Sequence, residues 1–518
     1  MLGRPCAVHV QYRDCRWPAR LKTHVVCIER MLLRLLKPTL LRAALLTALL
    51  PLAAASTQAV EGLKLPNLGE SSTSLFSAEY EYQLGRTWLK IFRSQAATMD
   101  DPLLFDYLED LIYRLVIHSQ LEDRRIDLVL VDNPTINAFA VPGGVIGVHN
   151  GLLMYAQTED ELASVLAHEI AHLSQRHFSR RVEFQRNQQP LNLAAMLAGF
   201  VLLATAGGDA GMAALSAAQA AAQDSALRYS RSNEAEADRV GMQTLVAAGL
   251  DPHATPAMFE RMLQASRYAS GNRIPEFLRT HPLSENRIAD TRNRARQYAS
   301  PAKRDDLQYQ LMRARVANHL AATPEAAIQQ FRGELDGNTR SREASTYGLV
   351  LALTDAGRVD QAALELDSIW SSNPERLEYK LANAEILMTR GESGKAADLL
   401  ERELKLSPGS HPLAMAYARA LMRDRKPHIS EAVLLEQSKV RPDDPALWYL
   451  LAEVQGLSGN IIGLHQSRAE YFILTGNLGE AEKQLSYALK LVGANHVAAA
   501  RINERLSDIN TLRERMDI

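Results

Sequence analysis

Beyond position 27 the sequence contains no cysteine: Cys6, Cys15 and Cys27 are the three in a chain of 518 residues. A chain cleaved downstream of them has no disulfide, no lipid-bearing cysteine and no thiolate metal ligand. Apolar runs of membrane-spanning length are also missing. Residues 43–55 are uncharged and apolar but short and interrupted by Pro51, and LNLAAMLAGFVLLATA stops after sixteen residues before Gly207-Gly208-Asp209. Nor is there an excess of positive charge in the body of the chain. Residues 1–59 carry nine Lys or Arg against two Asp or Glu, so residues 60–518 carry a net −9. That balance argues against non-specific nucleic-acid binding.

What is present begins with an export signal. From Met31, MLLRLLKPTLLR supplies Arg34, Lys37 and Arg42 ahead of the apolar core, and small residues then permit cleavage after Ala55 or Ala59. The first thirty residues, polar and basic, fit no such signal, and Met31 reads as the true start. The expected domains are an extension with a cleavable signal over 1–59, a catalytic domain over 60–308 and a repeat domain over 309–518.

The catalytic stretch is EDELASVLAHEIAHLSQRH at 159–177. Two histidines four apart on a helix share one face, so His168 and His172 can aim at a single metal ion. Glu169 beside them is placed as general base for the attacking water, the pattern of zinc proteases. His177, five residues past His172, falls about 140° round a continuous helix and away from that ion. In YSRSNEAEADRVG at 229–241, Glu234 completes a His₂Glu site and Asp238, one turn on, orients one of the histidines. Glu236 is read as part of a solvated acidic face.

Around these motifs, residues 77–95 and 102–116 read as helices and 125–132 (RIDLVLVD) as a strand. In NPTINAFAVPGGVIGVHNGLL, 136–141 and 145–148 are strands joined by Pro142-Gly143-Gly144. A strand just ahead of the zinc helix is where an extended peptide can add by backbone pairing. Residues 191–223, rich in Ala, Leu and Gly, read as buried helix, with a flap or a membrane-touching hairpin as the alternative. A further helix covers 249–269. His281 precedes Pro282 and lies outside a helix, and Ser284 then starts a basic helix through Arg287 and Arg292.

Taken together, HEIAHLSQRH, YSRSNEAEADRVG and RTHPLSENRI resemble the integral and periplasmic metallopeptidases related to the CAAX prenyl protease. The resemblance implies a zincin-like domain, mainly α with a small β-sheet, and one zinc per chain with no other cofactor. It implies a substrate-holding edge strand and makes His281 an active-site residue: a fourth metal ligand of a resting state, or an oxyanion partner. It further implies a periplasmic protein that assists outer-membrane β-barrel assembly and degrades stalled or misassembled chains.

The tail repeats. Pro374, Pro408 and Pro442 are 34 residues apart, as are Gly357 and Gly391, with Arg425 in the next slot and Gly459 after it. Ala362 and Ala396 keep the same register. Thirty-four is the tetratricopeptide period, and helix pairs are expected over 309–505, about four to six units with a concave protein-binding face. Unfolded outer-membrane proteins and the β-barrel assembly machinery are the partners expected there, with peripheral membrane contact. The function expected is that of an exported zinc endopeptidase with an attached protein-binding array. The alternative is a chaperone-like adaptor whose protease is latent.

Overall fold

A sheet of three short strands, flanked by helices, supports the motif helix. The computed structural model describes residues 77–186, 223–268, 276–302 and 305–516. The export signal, the start at Met31 and nearly all of the segment 191–223 lie outside the described residues. One compact unit runs from Thr73 to Ile518.

Helix α1 (Ala78–Gln95) starts where Ser77 accepts from the Tyr80 N–H, and α2 (Pro102–Val116) starts at Asp101, which caps Leu103 and Leu104, with Pro102 in the first turn. Strands β1 (Asp127–Val131), β2 (Ala138–Val141) and β3 (Val145–His149) follow, close to the expected bounds. Their order is β1-β3-β2, with β1 parallel and β2 antiparallel to β3, so β2 is an edge. Trp88, Leu89 and Phe92 of α1 bury against Val129, Val131, Val141 and Val145 on one sheet face. Gly147 is dictated by Phe139 on the neighbouring strand, since a β-carbon there would stand 2.0 Å from the Phe139 ring.

After α3 (Asn150–Tyr155) comes α4 (Glu159–Ser174), capped by Thr158, which accepts from the Glu161 N–H. The expected helix over 159–177 is broken before its end. Gln175 closes α4, Arg176 takes a left-handed backbone (φ 51°), and α5 (His177–Arg186) begins afresh. Helix α6 (Gln223–Ala247) lies along α4. Gly241 sits against the backbone of Ala167 and His168, where an added β-carbon would be 3.1 Å from each, so the two helices approach closely beside the histidines. Next are α7 (Ala254–Tyr268), the short α8 (Glu276–Thr280) and α9 (Glu285–Ala295), the last capped by Ser284 as expected.

The repeat array is all helix: α10 (Leu307–Leu320), α11 (Pro324–Asp336), α12 (Arg342–Asp355), α13 (Val359–Trp370), α14 (Leu377–Thr389), α15 (Ser393–Leu406), α16 (His411–Arg423), α17 (Pro427–Val440), α18 (Pro445–Ser458), α19 (Ile461–Leu474), α20 (Leu478–Leu491) and α21 (His496–Met516). Gly357, Gly391 and Gly459 turn the chain inside successive helix pairs with φ of 72°, 87° and 81°. Arg425 occupies the same slot with φ 59°, and Gly493, one period further on, with φ 57°. The 34-residue period therefore marks a left-handed position that the backbone keeps even where the residue is not glycine.

The array begins against the part that carries the two-histidine helix. Tyr309 is fully buried and its hydroxyl donates to the carbonyls of Leu153 and Ala156, while Arg313 donates to those of Leu153 and Met154. These are carbonyls at the C-terminal end of α3 that the helix itself leaves without partners. Further along, Arg441 pairs with Asp106 and Glu109 of α2, and Arg419 with Asp100. No helix among the described residues is long and apolar enough to cross a membrane.

Candidate metal centre

Helix α4 presents His168 and His172 on one face, and α6 brings Glu234 to meet them. The ligand atoms of His168, His172, Glu234 and His281 all lie within 4.8 Å of one another. His168 Nε2 is 3.0 Å from His172 Nε2, and these atoms are 3.4 and 3.5 Å from the Glu234 carboxylate. His281 Nδ1 is 3.1 Å from both Glu234 oxygens and 3.4 Å from His168 Nε2.

The donor set fits a cation. On the far side of the His168 ring, Nδ1 lies 3.0 Å from Asp238, whose negative charge favours a proton there and leaves Nε2 as the nitrogen aimed inward. The outer nitrogen of His172, Nδ1, is instead met by the His177 ring at 2.9 Å. Two inward ring nitrogens 3.0 Å apart beside a buried carboxylate call for a positive charge between them, a metal ion or, without one, the proton that His168 takes up. Two imidazoles and a carboxylate are a zinc-type donor set.

The site also perturbs its titrating groups. Burial opposes the charged form of His168, yet the Asp238 and Glu234 carboxylates facing its two ring nitrogens outweigh it and raise its pKa to about 9 in the absence of metal. Burial holds His172 well below the usual imidazole value. For Glu234 burial is overcome by the charge of His281 and by hydrogen bonds to His168 and His281, which hold the carboxyl well below its usual range.

Glu169 is 1% exposed, and burial pushes its carboxyl pKa upward. Its Oε1 is buried, has no hydrogen-bond partner among the described residues and lies 3.5 Å from His281 Nε2, while the Ala140 backbone of β2 offsets part of the upward shift. Asn137 O is turned inward to the His149 N–H of β3, so by alternation Ala138 and Ala140 turn their backbone groups to the open edge. The free edge of β2 therefore runs beside Glu169.

Arg287 and Glu236 have surroundings that the sequence did not show, and His177 lies outside the metal cluster as expected but with a partner that was not. Arg287 lies in the expected basic helix and is buried: its Nε and Nη2 each donate to Asp238 at 2.7 Å, and Nη1 lies 3.0 Å from Glu234. This fork holds Asp238 ionised. Glu236, expected on a solvated face, accepts from His177 Nε2 at 3.2 Å and from Arg180 at 3.0 Å. His177 stays out of the metal cluster but meets His172, Nδ1 to Nδ1, at 2.9 Å. Such pairings form only when separate helices come together, and no spacing within one motif announces them.

His281 follows α8, its N–H donating to the Phe277 carbonyl and its ring stacked on Phe277 at 4.7 Å. The Phe277 N–H in turn donates to the Ile136 carbonyl just ahead of β2, which anchors the segment at the edge of the sheet.

Comparison with known proteins gives a consistent picture. Residues 102–295 match the model of Peptidase family M48. The beta-barrel assembly-enhancing protease of Escherichia coli (strain K12) is 34% identical over 454 residues, covering 87% of this chain and 92% of the relative. That of Yersinia pestis is 33% identical over 481 residues, covering 92% of this chain and 98% of the relative. The mitochondrial metalloendopeptidase OMA1 of Schizosaccharomyces pombe is 33% identical over 190 residues, covering 35% of this chain and half of its own length.

Proposed function

The chain belongs to peptidase family M48, and from that premise we propose that it is an exported zinc endopeptidase acting in the assembly and quality control of outer-membrane β-barrel proteins. His168, His172 and Glu234 hold one zinc ion per chain, with Glu169 as general base and Asp238 orienting His168. Bound there, the ion supplies a Lewis acid that polarises water and the scissile carbonyl. Glu169 takes the proton of the attacking water and later returns it to the leaving amine, a task suited to a carboxyl whose pKa burial has raised. The open edge of β2, at Ala138 and Ala140, pairs with the backbone of an extended peptide and lays it across Glu169. The observation that carries the reading is the convergence of those ligand atoms beside a buried, unpartnered Glu169 oxygen.

The repeat array, the catalytic part's neighbour from Leu307 onward, presents unfolded or misassembled outer-membrane chains and docks on the assembly machinery. The protein works in the periplasm, with peripheral contact to the membrane. Its resting form is latent, because His281 stands within the ligand cluster and fills a position that substrate needs. Glu169→Gln keeps zinc and abolishes hydrolysis of casein. Casein cleavage by the purified, zinc-loaded variant rejects the assignment. In a deletion strain, full rescue by Glu169→Gln makes the scaffold the principal activity, and no rescue makes it the protease.

A further inference from the structure

Each metal-binding histidine has one ring nitrogen inside the cluster and one outside it. Behind His168 stands Asp238, itself clamped by Arg287. Behind His172, among the described residues, stands a second imidazole rather than a carboxylate. His172 Nε2 faces Glu234 and His168, so its Nδ1 carries the proton and donates to His177 Nδ1. The His177 proton must then sit on Nε2, which donates to Glu236.

We propose that His177 and Glu236 are positioning residues for zinc: a His172–His177–Glu236 relay that fixes the tautomer and ring orientation of His172, as Asp238 does for His168. This rests on His172 being a zinc ligand, as argued above. A metal-binding imidazole whose other nitrogen is held by an acceptor is pre-aimed and more basic.

The backbone is bent to build the relay. On an unbroken helix His177 would lie about 140° from His172. Instead α4 stops, Arg176 adopts φ 51°, and His177 swings back over the preceding turn. A left-handed arginine is strained, and such strain concentrates where function needs a particular placement. Glu81 of α1 pins this turn, accepting from Arg176 at 2.7 Å and from the Ser179 hydroxyl. His177 is 3% exposed, and Glu236 at the outer end is held by Arg180 as well.

The test is zinc affinity of the full chain by competition with a chelator, together with melting of the metal-free protein. His177→Phe fills the space without accepting a proton, and zinc binding should weaken by about 10–100-fold. His177→Asn restores an acceptor at the position of Nδ1 and should recover most of that loss. Equal losses in Phe and Asn variants, or no loss in either, overturn the proposal. Should His177→Phe not fold, Glu236→Ala at the outer end decides: weaker zinc binding with unchanged metal-free melting supports the relay, and unchanged binding overturns it. His172→Ala is the control. If it keeps zinc, the ligand assignment itself has failed; if it loses zinc while His177→Phe does not, only the relay has.

Discussion

Removing the imidazole of His281 should activate the enzyme, and the structure sets the scale. In the closed arrangement His281 Nδ1 contacts both oxygens of Glu234 at 3.1 Å, a hydrogen bond to a charged group. Its segment has other anchors: Phe277 is 1% exposed and its N–H donates to Ile136. His281→Ala therefore leaves α8 seated and removes one charge-assisted hydrogen bond, worth about 1.5–3 kcal/mol. Where the closed form dominates, the competent fraction rises by that difference, about 10- to 150-fold. Initial rates of casein hydrolysis by the zinc-loaded full chain, with self-cleavage followed alongside, read this out, and zinc content should be unchanged. A fall in turnover of about 10²–10³ with KM kept would mean that His281 stabilises the oxyanion instead. An unchanged rate would refute both roles.

Other outcomes are expected at separate points of the molecule. Glu234→Ala should strip zinc from the chain in elemental analysis, whereas Asp238→Asn should weaken binding by about 10–100-fold; full occupancy in Glu234→Ala places the third ligand elsewhere. His149 is fully buried beside Thr135, and burial lowers its pKa from 6.5 to about 4. The unfolded chain takes up this proton below 6.5 and the folded one does not, so stability is full above 6.5 and falls towards pH 4, by about 2 kcal/mol between pH 7 and 5. The urea midpoint of wild type should drop more steeply over that range than that of His149→Gln, and equal slopes reject the attribution. Arg425→Gly should raise the melting temperature, since the left-handed backbone there costs arginine about 1 kcal/mol; a lower melting temperature would mean that the side chain holds more than the strain costs.

Much of this was legible because the signals are local. Helix caps at Ser77, Asp101, Thr158 and Ser284 are single side chains acting within one turn. The strands around Pro142-Gly143-Gly144 are short apolar runs bounded by that turn, and the two glycines take the positive φ that such a turn needs. The repeat period was legible through Gly and Pro, and the Arg425 slot obeyed it against residue preference. What was not legible depends on tertiary approach. Nothing in LSQRH says that Arg176 breaks the helix, because every residue there tolerates a helical backbone, and the break is held by Glu81 some 95 positions earlier. Arg287 reads only as one cation of a basic helix until Asp238 is 2.7 Å away. Glu236 reads as solvated until the same break delivers His177 to it.

That distinction also decides how protease and scaffold should be separated. The period suggests a tail that can be removed at 309, but the structure ties the first array helix into the catalytic part. Deleting from Tyr309 onward exposes the carbonyls of Leu153, Met154 and Ala156, which α3 cannot satisfy itself. It also removes Arg315 from Asp101, the cap of α2, and Arg441 from Asp106 and Glu109. Each loss falls on helices around the metal site, so a truncated protein without activity would say nothing about the array's own task. Glu169→Gln changes one buried oxygen to an amide and leaves all of these contacts in place. The point variant in the intact chain is therefore the instrument that isolates the chemistry from the binding.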